Sequence, residues 1–88
     1  MAADTYSRLQ ALDKSLSDFK ATDSASWATA KIFNALLEAF QREHSGDAIV
    51  QAIEPAREGG GHASSMNIGT MRAAIGQLLA VDADSSLI

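Results

Sequence analysis

The sequence predicts an all-α fold: a small bundle of three longer helices and one short one, with a glycine-rich loop before the last. Three observations carry that prediction. Apolar residues recur at steps of three and four in separate segments, each preceded by a residue able to cap a helix. The one stretch that could be a strand, 48–53, is interrupted by Gln51 and has no second strand to pair with. A chain of 88 residues buries only about 60 to 65% of its unfolded surface, so a single core in one domain, 1–88, is expected.

The first helix is predicted over 4–20, with Asp4 or Thr5 as its cap. Tyr6, Leu9, Leu12, Leu16 and Phe19 form one narrow stripe, and Arg8, Asp13, Lys14, Ser17, Asp18 and Lys20 fill the other faces. The pattern breaks at 21–24, and a second helix is predicted over 24–44. Its wider apolar band comprises Ala25, Ile32, Phe33, Leu36, Leu37 and Phe40. His44 suits the negative end of that helix, and Gly46 suits a left-handed cap. Trp27 falls roughly 140° from the centre of the band.

A short third helix is expected over 47–54, carrying Ile49, Val50 and Ile53 on one side and stopped by Pro55. The loop 55–66 follows, with Gly59, Gly60 and Gly61 in succession. A fourth helix is predicted over 67–81, capped by Ser64, Ser65 or Asn67, with Ile68, Met71, Ile75, Leu78 and Leu79 as its apolar stripe. The tail 82–88 is expected to fray.

The fourth helix has a second side. Gly69, Ala73, Gly76 and Ala80 recur at i, i+4, i+7 and i+11, and Arg72 is the only charge within 67–81. A mid-helix glycine costs up to about 1 kcal/mol relative to alanine, and close approach of another helix is the simplest compensation. Packing inside the monomer would supply it. So short a chain, however, has little material to cover both sides of an almost uncharged helix, which points to a homodimer through this face. Trp27 is expected to fold back over the first helix junction, and in a dimer it would lie at the edge of that contact.

Composition narrows the functions. The formal charge is −4, and no cluster of lysine or arginine offers phosphate contacts, so nucleic-acid binding is not expected. The last helix also lacks the base-reading side chains of a recognition helix. With no cysteine, disulfides, zinc–thiolate sites and thiol catalysis are excluded, and the composition fits a reducing, cytoplasmic setting. No segment reads as a secretory signal or a membrane span. His44 and His62 are not spaced as a helical metal pair, no serine sits in a nucleophile elbow, and the acidic residues are scattered. No metal, no cofactor and no catalytic residue is therefore expected. The predicted role is a small acidic interaction or regulatory protein whose partner is another protein or itself.

The alternative lies in the loop. Gly59, Gly60 and Gly61 could turn backbone N–H groups toward a phosphate or nucleotide, with Arg57, His62 and a helix N-terminus close in sequence. The spacing matches neither the P-loop nor the dinucleotide fingerprint. The run Gly59-Gly60-Gly61-His62 locally resembles the nucleotide-gripping C-terminal domain of DHH-type phosphoesterases, where a glycine-rich run ends in histidine before small residues and a helix. The resemblance covers about a third of the chain, and Ala63, Ser64 and Ser65 follow the pattern only loosely. It implies nucleotide binding without hydrolysis, because no Asp-His-His motif occurs. The plain reading of the loop is a flexible connector between the third and fourth helices.

Overall fold

The computed structural model describes the backbone of residues 2–86 and the side-chain burial of residues 5–81; Leu87 and Ile88, at the end of the predicted tail, lie outside the described residues. The elements follow in the order α1 (Ala2–Leu16), β1 (Ser24–Ser26), α2 (Trp27–Glu43), α3 (Ala48–Ala52), β2 (Ala63–Asn67) and α4 (Ile68–Ser86). The two strands pair antiparallel. The fold is therefore mixed α/β, and the all-α expectation is overturned.

The strands escape a pattern search because they are short and polar. β1 reads Ser-Ala-Ser and β2 reads Ala-Ser-Ser-Met-Asn, without the apolar alternation that marks a half-buried strand. Their pairing is a tertiary event. Ser24 lies opposite Asn67 and Ser26 opposite Ala63, an irregular register with more residues on β2 than on β1. The buried Ser64 hydroxyl donates to the Ala25 carbonyl at 2.8 Å and accepts from the Met66 N–H at 3.3 Å. A side chain thus satisfies groups that the irregular ladder leaves over.

The predicted flexible connector is likewise hydrogen-bonded. Ser65 N–H donates to Arg57 O at 2.7 Å, Arg57 N–H to Ser65 Oγ at 2.9 Å, and Gly59 N–H to Ala63 O at 2.9 Å. A single antiparallel bridge, Glu58 with Ser64, extends the pairing, and Gly61 turns the chain at a φ of 63°. The segment 57–65 is a small hairpin.

α1 stops earlier than its stripe suggested. Ser17 N–H and its hydroxyl both donate to Lys14 O, and Phe19 N–H donates to Leu16 O, which tightens the last turn and leaves Phe19 58% exposed. Ser26 caps α2 through its hydroxyl, which accepts from Thr29 N–H at 3.1 Å; residues 24–26 are thereby strand and cap, not helix. Gly46 has no left-handed backbone, since Gly61 is the only positive-φ glycine among the described residues. His44 closes α2 instead, its N–H donating to Phe40 O and its ring stacked on Phe40.

The core is made by Leu9, Leu12 and Leu16 of α1, Ala30, Phe33, Leu37 and Phe40 of α2, and Ile68, Met71, Ile75 and Leu78 of α4. Each of the larger side chains contributes about 1.5 to 3 kcal/mol on burial. α1 packs on both α2 and α4. Ile32, read as part of the core band of the second helix, is instead 56% exposed.

Amide side chains of α2 hold the connector that follows it. Asn34 pairs with the Ala56 backbone in both directions, Nδ2 to O at 2.9 Å and N–H to Oδ1 at 2.8 Å. Gln41 Nε2 donates to Val50 O and Ile53 O. Asp47 caps α3 by accepting from Ile49 and Val50 N–H.

Candidate functional site

The predicted interface residues divide when placed on the fold. Gly69 is used inside the chain: a Cβ there would stand 3.0 Å from the Ala21 Cβ and 3.2 Å from the Ala21 oxygen, which already accepts the Gly69 N–H at 2.9 Å. Ala73, Gly76 and Ala80 are exposed, and a Cβ on Gly76 would meet nothing within 4 Å. The face of α4 away from the core is thus small and open. Trp27 is half-buried against the core at the β1–α2 junction, where its N–H donates to His62 O at 2.7 Å.

Two features border the open face. On one side Arg72 makes a two-pronged bond to Asp13 of α1, Nε to Oδ1 at 2.9 Å and Nη2 to Oδ2 at 3.2 Å. That hydrogen bond, with the field of the carboxylate, raises the guanidinium pKa above its already high ordinary value. On the other side Ala73 and Ala74 line a groove of about 490 Å³ together with Ala52, Ile53 and Met66, with Glu54, Thr70 and Gln77 as its polar lining. Ile49 of α3, 60% exposed, stands one turn before Ala52.

The proposed anion-binding residues are held differently. Arg57 and Gly59 lie on the outer arm of the hairpin, while Gly60, Gly61 and His62 form its exposed turn. A Cβ on Gly59 would press on the Ser64 carbonyl at 3.2 Å, whereas Gly60 faces open space. The hairpin therefore explains Gly59 by backbone approach and Gly61 by its turn, without a ligand. The adjoining helix N-terminus is already occupied. Ile68 N–H donates to Asp23 O at 2.8 Å, Gly69 N–H to Ala21 O, and Thr70 N–H to the Asn67 side chain at 2.8 Å. The first three N–H groups of α4, the donors an anion would use, all have partners within the chain.

A second groove was not anticipated. Between α1 and α2, Arg8, Ala11, Leu12, Ser15, Ile32, Ala35 and Leu36 line a hollow of about 490 Å³. Its sequence signal is the outward stripe Ala28, Ile32, Ala35 and Ala39, at steps of four, three and four. Of that stripe, the band read for the second helix contains Ile32 alone.

Among the described residues, no group of three or more acidic or histidine side chains is gathered as a metal site, and no helix is long and apolar enough to cross a membrane. The buried side-chain polar atom without a hydrogen-bond partner is His44 Nε2, at the end of α2. Comparison of the chain with known protein families, with curated proteins and with solved structures finds no match in any of the three.

Proposed function

We propose that this chain is a protein–protein interaction module, not an enzyme, and that it pairs with a second copy of itself through the outer face of α4. The observation that carries this reading is the exposure of Gly76 between Ala73 and Ala80. A glycine in a helix interior costs about 1 kcal/mol relative to alanine, and nothing inside the chain occupies the space its missing side chain leaves. Close approach by a partner outside the chain accounts for it.

The low local charge of this face is compatible with a second copy. Two molecules of net charge −4 repel as wholes, and that repulsion is least where faces of low local charge meet. From Gly69 to Ala80 the only charge is Arg72, already matched by Asp13 within the monomer. The adjoining groove adds the apolar Ala52, Ile53 and Met66 toward the ~800 Å² per partner that a stable interface requires, with Glu54 as the charged residue of its lining. The phosphate-binding alternative has less support, because the chain's own acceptors take the donors at the start of α4.

Sedimentation equilibrium tests the proposal. The wild-type chain should associate as concentration rises, and Gly76→Leu, whose side chain enters open space in the monomer, should stay folded and monomeric. A wild-type chain still monomeric at about 1 mM would refute it, since contacts weaker than that lie below any specific interface.

A further inference from the structure

We infer that the second copy binds in parallel, its α4 running in the same direction on the far side of a two-fold axis beside Gly76, so that Arg72 of each chain meets Glu54 of the other. The inference rests on the pairing proposed above and fixes its orientation. At about 100° per residue, Arg72 and Gln77 lie on opposite sides of the line through Ala73, Gly76 and Ala80, each roughly 70° from its centre. Gln77 lines the groove that Glu54 also lines, so a basic group borders the small face on one flank and an acidic group on the other.

The two flanks stand at a similar level along the helix. The groove takes its α4 lining from Thr70, Ala73, Ala74 and Gln77, a span that includes the level of Arg72. A two-fold axis in the plane of contact lies either along α4 or across it. An axis along α4 keeps the level and exchanges the flanks, so Arg72 faces the partner's Glu54 and Glu54 faces the partner's Arg72. An axis across α4 reverses the helix and keeps each flank on its own side, which sets Glu54 beside a second Glu54 and Arg72 beside a second Arg72. Opposite charges in register favour association, and like charges side by side oppose it.

The chemistry of both groups fits that contact. Arg72 donates Nε–H and one Nη2–H to Asp13, and because a guanidinium carries five N–H donors, Nη1 and the second Nη2–H remain for another acceptor. Its side chain is 41% exposed. Glu54 is exposed and forms no ion pair among the described residues. Asp13 already fixes the guanidinium in place, so Arg72 loses little side-chain freedom when a carboxylate of the second copy reaches its outer edge.

The chain has no cysteine, so single-cysteine variants of the full chain report the orientation directly. Under mild oxidation Ala73→Cys alone and Ala80→Cys alone should each give a disulfide-linked dimer, because a parallel pair sets each position against itself. In an antiparallel pair the two positions face each other and lie about 10 Å apart along α4, beyond the reach of a disulfide between like positions, so only their mixture would link. Glu54→Gln should weaken association about 3- to 10-fold by sedimentation equilibrium, whereas Glu38→Gln, the same change of charge at an exposed position of α2, should leave it unchanged. Linking in the mixture alone, or association of Glu54→Gln as tight as wild type or tighter, would overturn the parallel arrangement and leave the pairing at Gly76 intact. An associating chain that links in none of the samples, or a wild-type chain monomeric at about 1 mM, would overturn both.

Discussion

The two helical glycines of α4 differ by a single geometric fact, and exchanging each for alanine should give opposite signs. At Gly76 an added Cβ meets no atom within 4 Å, so Gly76→Ala gains helix propensity and lowers the entropy of the unfolded chain at no steric cost. The expected gain is about 0.5 to 1 kcal/mol, or a rise in Tm of about 2 to 8 °C for a domain of this size. At Gly69 the same methyl lands 3.0 Å from the Ala21 Cβ and 3.2 Å from the Ala21 oxygen. That oxygen cannot retreat freely, because it accepts the Gly69 N–H at 2.9 Å. Overpacking of this kind costs about 1 to 3 kcal/mol, which outweighs the propensity gain, so Gly69→Ala should be net destabilising. Urea denaturation followed by circular dichroism at low micromolar concentration measures both in the monomer. Repeating the series at high concentration adds a second reading, because binding to the folded state raises apparent stability by mass action. If α4 pairs closely at Gly76, the advantage of Gly76→Ala should shrink or reverse as concentration rises. A loss of stability for Gly76→Ala in the dilute monomer, or a gain for Gly69→Ala, would refute the reasoning.

Two further variants probe the parts that hold the connector and the hairpin. Asn34→Ala removes the acceptor and donor that pair with both sides of the buried Ala56 backbone, and should cost about 1 to 3 kcal/mol by urea denaturation while Glu38→Ala, an exposed position on the same helix, stays within about 0.5 kcal/mol. Gly61→Val forces a β-branched residue to a φ of 63° and should destabilise by about 1 to 3 kcal/mol, whereas Gly60→Val, with open space around it, should be nearly neutral; equal effects at the two positions would mean that the turn is not what demands the glycines.

What was legible in the sequence follows the physics of each element. Leu9, Leu12 and Leu16, or Ile68, Met71, Ile75 and Leu78, can be read as buried because a helix sorts its residues by local spacing alone. β1 and β2 could not be read, since Ser24–Ser26 and Ala63–Asn67 become strands only by pairing across nearly 40 residues of chain. The order of the glycine loop is hidden for the same reason. Its order comes from Ser65 and Ala63 reaching back to Arg57 and Gly59, contacts no propensity records. Phe19 failed by a different route: the heptad spacing continued, but Ser17 closed the helix first.

The misreading of Ile32 carries the most consequence for function. A helix that is apolar over a broad arc can be buried on all of it, or it can serve two seams, and spacing alone does not separate the cases. In α2 the arc divides: Phe33, Leu37 and Phe40 face the core, while Ile32 and Ala35 open onto a groove shared with α1. α4 divides in the same manner, with Met71 and Ile75 inside and Ala73 and Gly76 outside. Both helices therefore carry more packing surface than an 88-residue chain can cover by itself. The two open faces also differ in the charges beside them: Arg72, held by Asp13, and Glu54 border the α4 face, while Arg8 lines the groove between α1 and α2.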